Sequence, residues 1–66
     1  MMTIYINGEA QQTSCQNLAE LIAQLDLDGK RFAVEMNTQI IPKSRLNQTP
    51  IQPNDRIEII HAVGGG

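Results

Sequence analysis

Sixty-six residues make a single domain that buries only about 60% of its unfolded surface, too little for a deep, enclosed active site. Hydrophobic residues make up 41% of the chain, and with one Phe, one Tyr and no Trp the core must be aliphatic, with no aromatic platform for single-stranded nucleic acid. Seven acidic residues against five basic ones give a net charge of −2, and no run of Lys or Arg is present to neutralise phosphates, so nucleic acid is excluded as a partner.

No apolar stretch approaches the roughly eighteen residues that a membrane span needs. The opening MMTIYINGEA has no basic region followed by a long apolar run, so a cytoplasmic location and no membrane partner are expected. A single cysteine cannot form an internal disulfide, which fits a reducing compartment. Cys15 stands in QTSCQN beside no His that would activate it, and is read as an ordinary small residue at a strand–helix junction. His61, the only histidine, has no Cys or His companion at ligand spacing, so no metal site is expected.

In chain order, TIYINGEAQQT alternates Ile4 and Ile6 with Thr3 and Tyr5 before reaching Asn7-Gly8, a pair suited to a two-residue type I′ turn. A hairpin is predicted, with strands over 2–7 and 9–13. In NLAELIAQLDLDG, Leu18, Leu21, Ile22 and Leu25 form the i, i+3, i+4, i+7 stripe of an amphipathic helix, predicted over 17–26. Asn17 is its expected N-cap, paired with Glu20 in a capping-box pattern, and Gly29 its expected stop.

RFAVEMN (31–37) sets Phe32, Val34 and Met36 against Ala33 and Glu35, the period of a half-buried strand. TQIIP (38–42) is a shorter strand that Pro42 ends. Residues 43–55 read as loop, with one turn near Ser44–Asn47 and strong turn chemistry at Pro53-Asn54-Asp55. RIEIIHAV (56–63) alternates again, Ile57, Ile59 and His61 against Arg56, Glu58 and Ile60. One helix must cover one face of a small mixed sheet, in which the long connection lets the last strand lie centrally beside the first.

Ile60 falls out of phase with Ile57 and Ile59. It is expected on the sheet face away from the helix, where with Ala62, Val63, Tyr5 and Ile41 it would form an apolar docking patch. The sequence then ends in Gly64, Gly65 and Gly66. Three glycines are either a frayed end or a segment narrow enough to enter a partner's channel. Residues 63–66 span roughly 13 Å when extended.

Together with this order of elements, the stretches EMNTQIIPKS (35–44) and NDRIEIIHAVGGG (54–66) resemble the sulfur carriers of thiamine biosynthesis, the ThiS family of the ubiquitin-like β-grasp superfamily. The likeness spans the whole chain. Its specific part is the ending, while the first hairpin and the helix are generic. The resemblance implies an α+β β-grasp fold in one domain, 1–66, with a tail over 63–66, and a substrate protein rather than an enzyme.

It further implies that an E1-like adenylating enzyme of the ThiF type uses ATP to activate the Gly66 carboxylate. A sulfurtransferase or cysteine desulfurase then supplies persulfide sulfur, and the resulting thiocarboxylate serves a thiazole synthase of the ThiG type. Gly66 would carry the sulfur, with Gly65 and Gly64 threading the tail, and no cofactor bound to the carrier itself. Other readings of the same residues are a molybdopterin-type sulfur carrier, a ubiquitin-like modifier, a β-grasp binding module with an inert tail, and an enzyme using Cys15.

Overall fold

In the computed structural model, which describes residues 1–61 and the side chains through Ile60, Asn7 and Gly8 both take positive φ, 51° and 85°. Positive φ at both central residues is what a type I′ turn requires. The turn joins β1 (Met2–Ile6) to β2 (Glu9–Thr13) in antiparallel register, from Ile6 opposite Glu9 to Met2 opposite Thr13. Asn7, expected to close the first strand, belongs to the turn instead.

The helix α1 runs Leu18–Gln24, shorter at both ends than the predicted 17–26, with Asn17 and Leu25 as its caps. Asn17 caps it, its side-chain oxygen accepting the Glu20 amide at 2.9 Å. The Glu20 carboxylate accepts the Gln16 amide at 2.8 Å, so the reciprocal bond closes one residue ahead of the cap. Gly29 is not the stop. Asp26 takes φ 64° directly after the C-cap Leu25, its amide bonds the Ala23 carbonyl, and the Leu27 amide bonds that of Ile22, both at 3.1 Å. That pair of bonds is a Schellman motif, with half-buried Leu27 packed against the core as its apolar contact. Gly29, at φ 80°, serves the next turn, in which the Lys30 amide bonds the Leu27 carbonyl.

An aspartate in the left-handed region is strained where glycine would not be, so Asp26→Gly is expected to stabilise the protein by about 0.5–1 kcal/mol. A raised urea midpoint with unchanged slope is the measurement that checks it.

β3 (Phe32–Met36) and β4 (Gln39–Ile41) form a second antiparallel hairpin through Asn37 and Thr38, both at positive φ. β5 (Arg56–His61) lies between the two hairpins, parallel to β1 and antiparallel to β3, which gives the strand order β2-β1-β5-β3-β4. The last strand is thus central, as the long connection allowed. Its predicted continuation through Ala62 and Val63, the side chain of His61 and the tail lie outside the described residues.

The connection before β5 is more ordered than a loop with one turn, because Lys43–Gln48 forms a 3-10 helix. Its Leu46, together with Ile51, closes the side of a core built from Ile4, Leu18, Ile22, Val34 and Ile57. Cys15 belongs to that core and donates its S–H to Gln24 Oε1 at 3.0 Å, in keeping with a small structural residue. One sheet face on one helix, with the last strand at the centre, is the α+β β-grasp arrangement expected from the sequence.

Candidate functional site

β5 is held from both sides by the two hairpin turns. Asn7 follows the last β1 residue, and its amide bonds the Ile57 carbonyl at 2.9 Å. Its carboxamide then reaches two residues further along β5, accepting the Ile59 amide at 2.8 Å and donating to the Ile59 carbonyl at 3.2 Å. Asn37 does the same at the strand's start. Its side chain accepts the Arg56 amide at 3.0 Å and donates to Asp55 Oδ1 at 3.0 Å, while its own amide bonds the Arg56 carbonyl at 2.8 Å. The sequence reading puts Asn7 at the end of its strand and in the turn, and Asn37 in its strand, with no further role for either. An amide side chain can both donate and accept, but its partners here are distant backbone groups, which leave no mark in the sequence.

Ile60 lies on the face away from α1 and is 64% exposed, as its phase predicted. Its expected companions need correction. Ile41 pairs with Val34 and packs half-buried against the core, so it is on the helix face. The exposed neighbour is Ile40, 74% accessible, across from Glu35. The physical reason is register: the turn at Asn37-Thr38 sets Met36 opposite Gln39, and a one-residue slip exchanges the faces of the whole strand. Tyr5 is on the open face but beside Arg56, four residues back along β5, or about 13 Å from Ile60 at about 3.3 Å per residue. Its ring instead receives the Arg56 guanidinium at 5.7 Å. Ala33, directly opposite Ile60, takes its place in the patch. Ala62 and Val63 lie outside the described residues, as do Gly64, Gly65 and Gly66.

The charges around this strand are unequal. Glu35 and Glu58 stand opposite one another on the open face, a like-charge pair that costs stability. At the far end of β5, Phe32 pairs with His61, and the Lys43 ammonium lies over the Phe32 ring at 4.6 Å. Lys30 and Arg31 line the same recess, with Asp28 as the acidic member. The end of the central strand is therefore flanked by cations. Among the described residues no group of three or more His, Cys, Asp and Glu is placed to hold a metal ion, and no helix is long and apolar enough to cross a membrane.

The class defined by these elements is a small β-grasp domain with a clamped central strand and an exposed apolar face. The ThiS family model matches residues 4–66, and the chain belongs to the ThiS family. It is similar to the sulfur carrier protein ThiS of Escherichia coli strain K12, 33% identical over 66 residues that make up 98% of this chain and 100% of that one. It is also 38% identical, over 98% of its length, to a thiazole synthase of Paramagnetospirillum magneticum, but spans only 20% of that protein. Among solved structures, a ThiS from Geobacter metallireducens superposes with a TM-score of 0.81 at 23% identity, covering 98% of this chain and 100% of that one, which shows the shared fold.

Proposed function

We propose that this chain carries sulfur for thiazole formation in thiamine biosynthesis, as a thiocarboxylate on Gly66. A carboxylate is a poor electrophile and must be activated first. An adenylating enzyme of the ThiF type supplies ATP: the Gly66 carboxylate attacks the α-phosphorus, pyrophosphate leaves, and an acyl-adenylate forms. The terminal sulfur of a persulfide, delivered by a sulfurtransferase or cysteine desulfurase, attacks the acyl carbon and AMP leaves. Reduction of the sulfur–sulfur bond by a thiol then frees the thiocarboxylate for a thiazole synthase. The carrier holds no cofactor in this scheme and serves as substrate throughout.

The observation that carries this reading is the position of β5, central in the sheet and bonded on both sides, with AVGGG following directly in the sequence. A rigid core thus leads into residues narrow enough for a channel, of which Gly65 and Gly64 are the threading pair. Membership of the ThiS family supports it, and the similarity to a longer thiazole synthase supports that class of enzyme as the partner.

Intact mass measurement of the protein from cells grown without thiamine, with fragmentation of the C-terminal peptide, tests the proposal. Replacement of one oxygen by sulfur at Gly66 is expected. A terminus that stays an oxygen carboxylate after incubation with ATP, a sulfur source and the adenylating enzyme overturns it.

Docking is assigned to the open face around Ile60, with Ala62 and Val63 extending it toward the tail. Ile60→Asp sets a carboxylate two residues from Glu58 on an apolar surface that the partner must desolvate. The KM of adenylation is expected to rise about tenfold or more, with a change in unfolding free energy within about 0.5 kcal/mol, as for exposed positions. An unchanged KM removes the patch from the docking surface.

A further inference from the structure

We infer that Asn7 is a positioning residue for the tail chemistry, its carboxamide standing in for the strand residue that β1 lacks beside Ile59. The inference rests on the carrier reading above and adds to it the group that aims the tail.

Odd-numbered residues around β5 turn their peptide groups toward β1: the Asp55 carbonyl accepts the Tyr5 amide, and the Ile57 carbonyl accepts the Asn7 amide, both at 2.9 Å. By that alternation the Ile59 peptide groups face the same way, but β1 has by then turned into β2 at Asn7-Gly8. The Asn7 side chain fills the vacancy with one donor and one acceptor, in partly buried surroundings, across 52 residues of sequence. Ile59 is itself 6% exposed, so its amide and carbonyl would otherwise be left short of partners close to the core. The clamp sits two residues before His61, where the strand is otherwise held by β3 through Ala33 and Phe32. A strand bonded on one side pivots about that side, and the bond to Asn7 removes the freedom. The last described residues of β5, Ile60 and His61, follow directly on this clamp.

The turn and the clamp can be separated by mutation. Glycine accepts φ 51° without strain, so Asn7→Gly keeps the turn and removes the clamp. Asn7→Asp keeps the acceptor for the Ile59 amide and loses the donor. The matched control is Asn37→Gly, at φ 52°, which removes the equivalent pair of bonds at the opposite end of β5. Amide hydrogen exchange reads the clamp directly, and steady-state adenylation with the activating enzyme and ATP reads its use.

In Asn7→Gly the Ile59 amide is expected to exchange about tenfold faster or more relative to Ile4 and Val34. The kcat of adenylation should fall about tenfold or more with KM within about threefold, because docking is preserved while the carboxylate is mis-aimed. Asn7→Asp should fall between Asn7→Gly and the wild type. Asn37→Gly should speed exchange at Arg56 while leaving kcat within about twofold of wild type, its site lying far from the exit.

Equal losses of kcat in Asn7→Gly and Asn37→Gly mean general loosening of the domain and overturn the proposal. So does an Ile59 amide that keeps its protection, or a KM that rises while kcat holds. If Asn7→Gly does not fold, Asn7→Asp decides by kcat and KM alone, since its carboxylate still accepts the Ile59 amide: a kcat equal to wild type overturns the proposal. A wild-type protein that is never adenylated sinks the carrier reading itself, and the role of Asn7 with it, which the wild-type control distinguishes from failure of the clamp alone.

Discussion

Deletion of Gly65 and Gly66 is expected to abolish adenylation and leave thermal unfolding unchanged. The sheet pairings and core contacts among the described residues, 1–61, are untouched by the deletion. What it moves is the carboxylate, which retreats by two residues, about 7 Å of extended chain. Activation requires the carboxylate oxygen within about 3–3.5 Å of the reacting phosphorus, and a displacement of about 1 Å already costs on the order of a hundredfold. No turnover should remain. Gly65→Ala is the milder form, placing a methyl group where the channel is meant to pass bare backbone. Pyrophosphate release with the adenylating enzyme and a circular dichroism melt are the two measurements. Normal turnover of the truncated protein defeats the carrier mechanism, and a lowered melting temperature assigns the tail a structural role.

The sequence made the local parts of this fold legible and left the long-range parts obscure, for a physical reason. Asn7-Gly8 announces its turn because both residues tolerate positive φ, and the stripe from Leu18 to Leu25 announces a helix because its period is local. The turn at Asn37-Thr38 has the same backbone signs but is written with a β-branched residue, Thr38 at φ 72°, which propensity argues against. Without that turn the register of β4 is open in the sequence, and the register it sets turns Ile41 toward the helix face, opposite to expectation. Asp26 hid the helix stop in the same way, by occupying a conformation in which glycine is the usual signal.

At the candidate site the exposure of Ile60 followed from counting by twos along one strand. The clamp of Asn7 on Ile59 did not, since it joins residues 52 apart through a side chain whose partner is backbone and therefore has no sequence signature. The chemistry proposed for the glycine tail rests on properties of the residues themselves, a carboxylate and a narrow approach. The face that recognises a partner is a property of the assembled sheet.

Leu21→Ala is the second variant with a large expected effect, and it acts through folding alone. Leu21 is 2% exposed on a seven-residue helix, far shorter than the length at which a helix is stable unaided, so α1 exists because its apolar face is packed on the sheet. Truncation removes that packing and leaves a cavity, at a cost of about 2–5 kcal/mol. Against a total stability of roughly 3–10 kcal/mol for a chain of this length, that is a large part of the whole. A urea midpoint that falls steeply with unchanged slope is the expected result, and a neutral outcome would mean that α1 packs through another face. Leu21→Met, which nearly conserves volume, should cost less than about 1.5 kcal/mol. Function separates the two classes of variant. Under conditions where Leu21→Ala remains folded, its kcat and KM for adenylation should match the wild type, since the end of β5, the Asn7 clamp and the tail are untouched. The truncated protein should show the reverse, full stability with no turnover, so the pair locates stability in the core and chemistry in the tail.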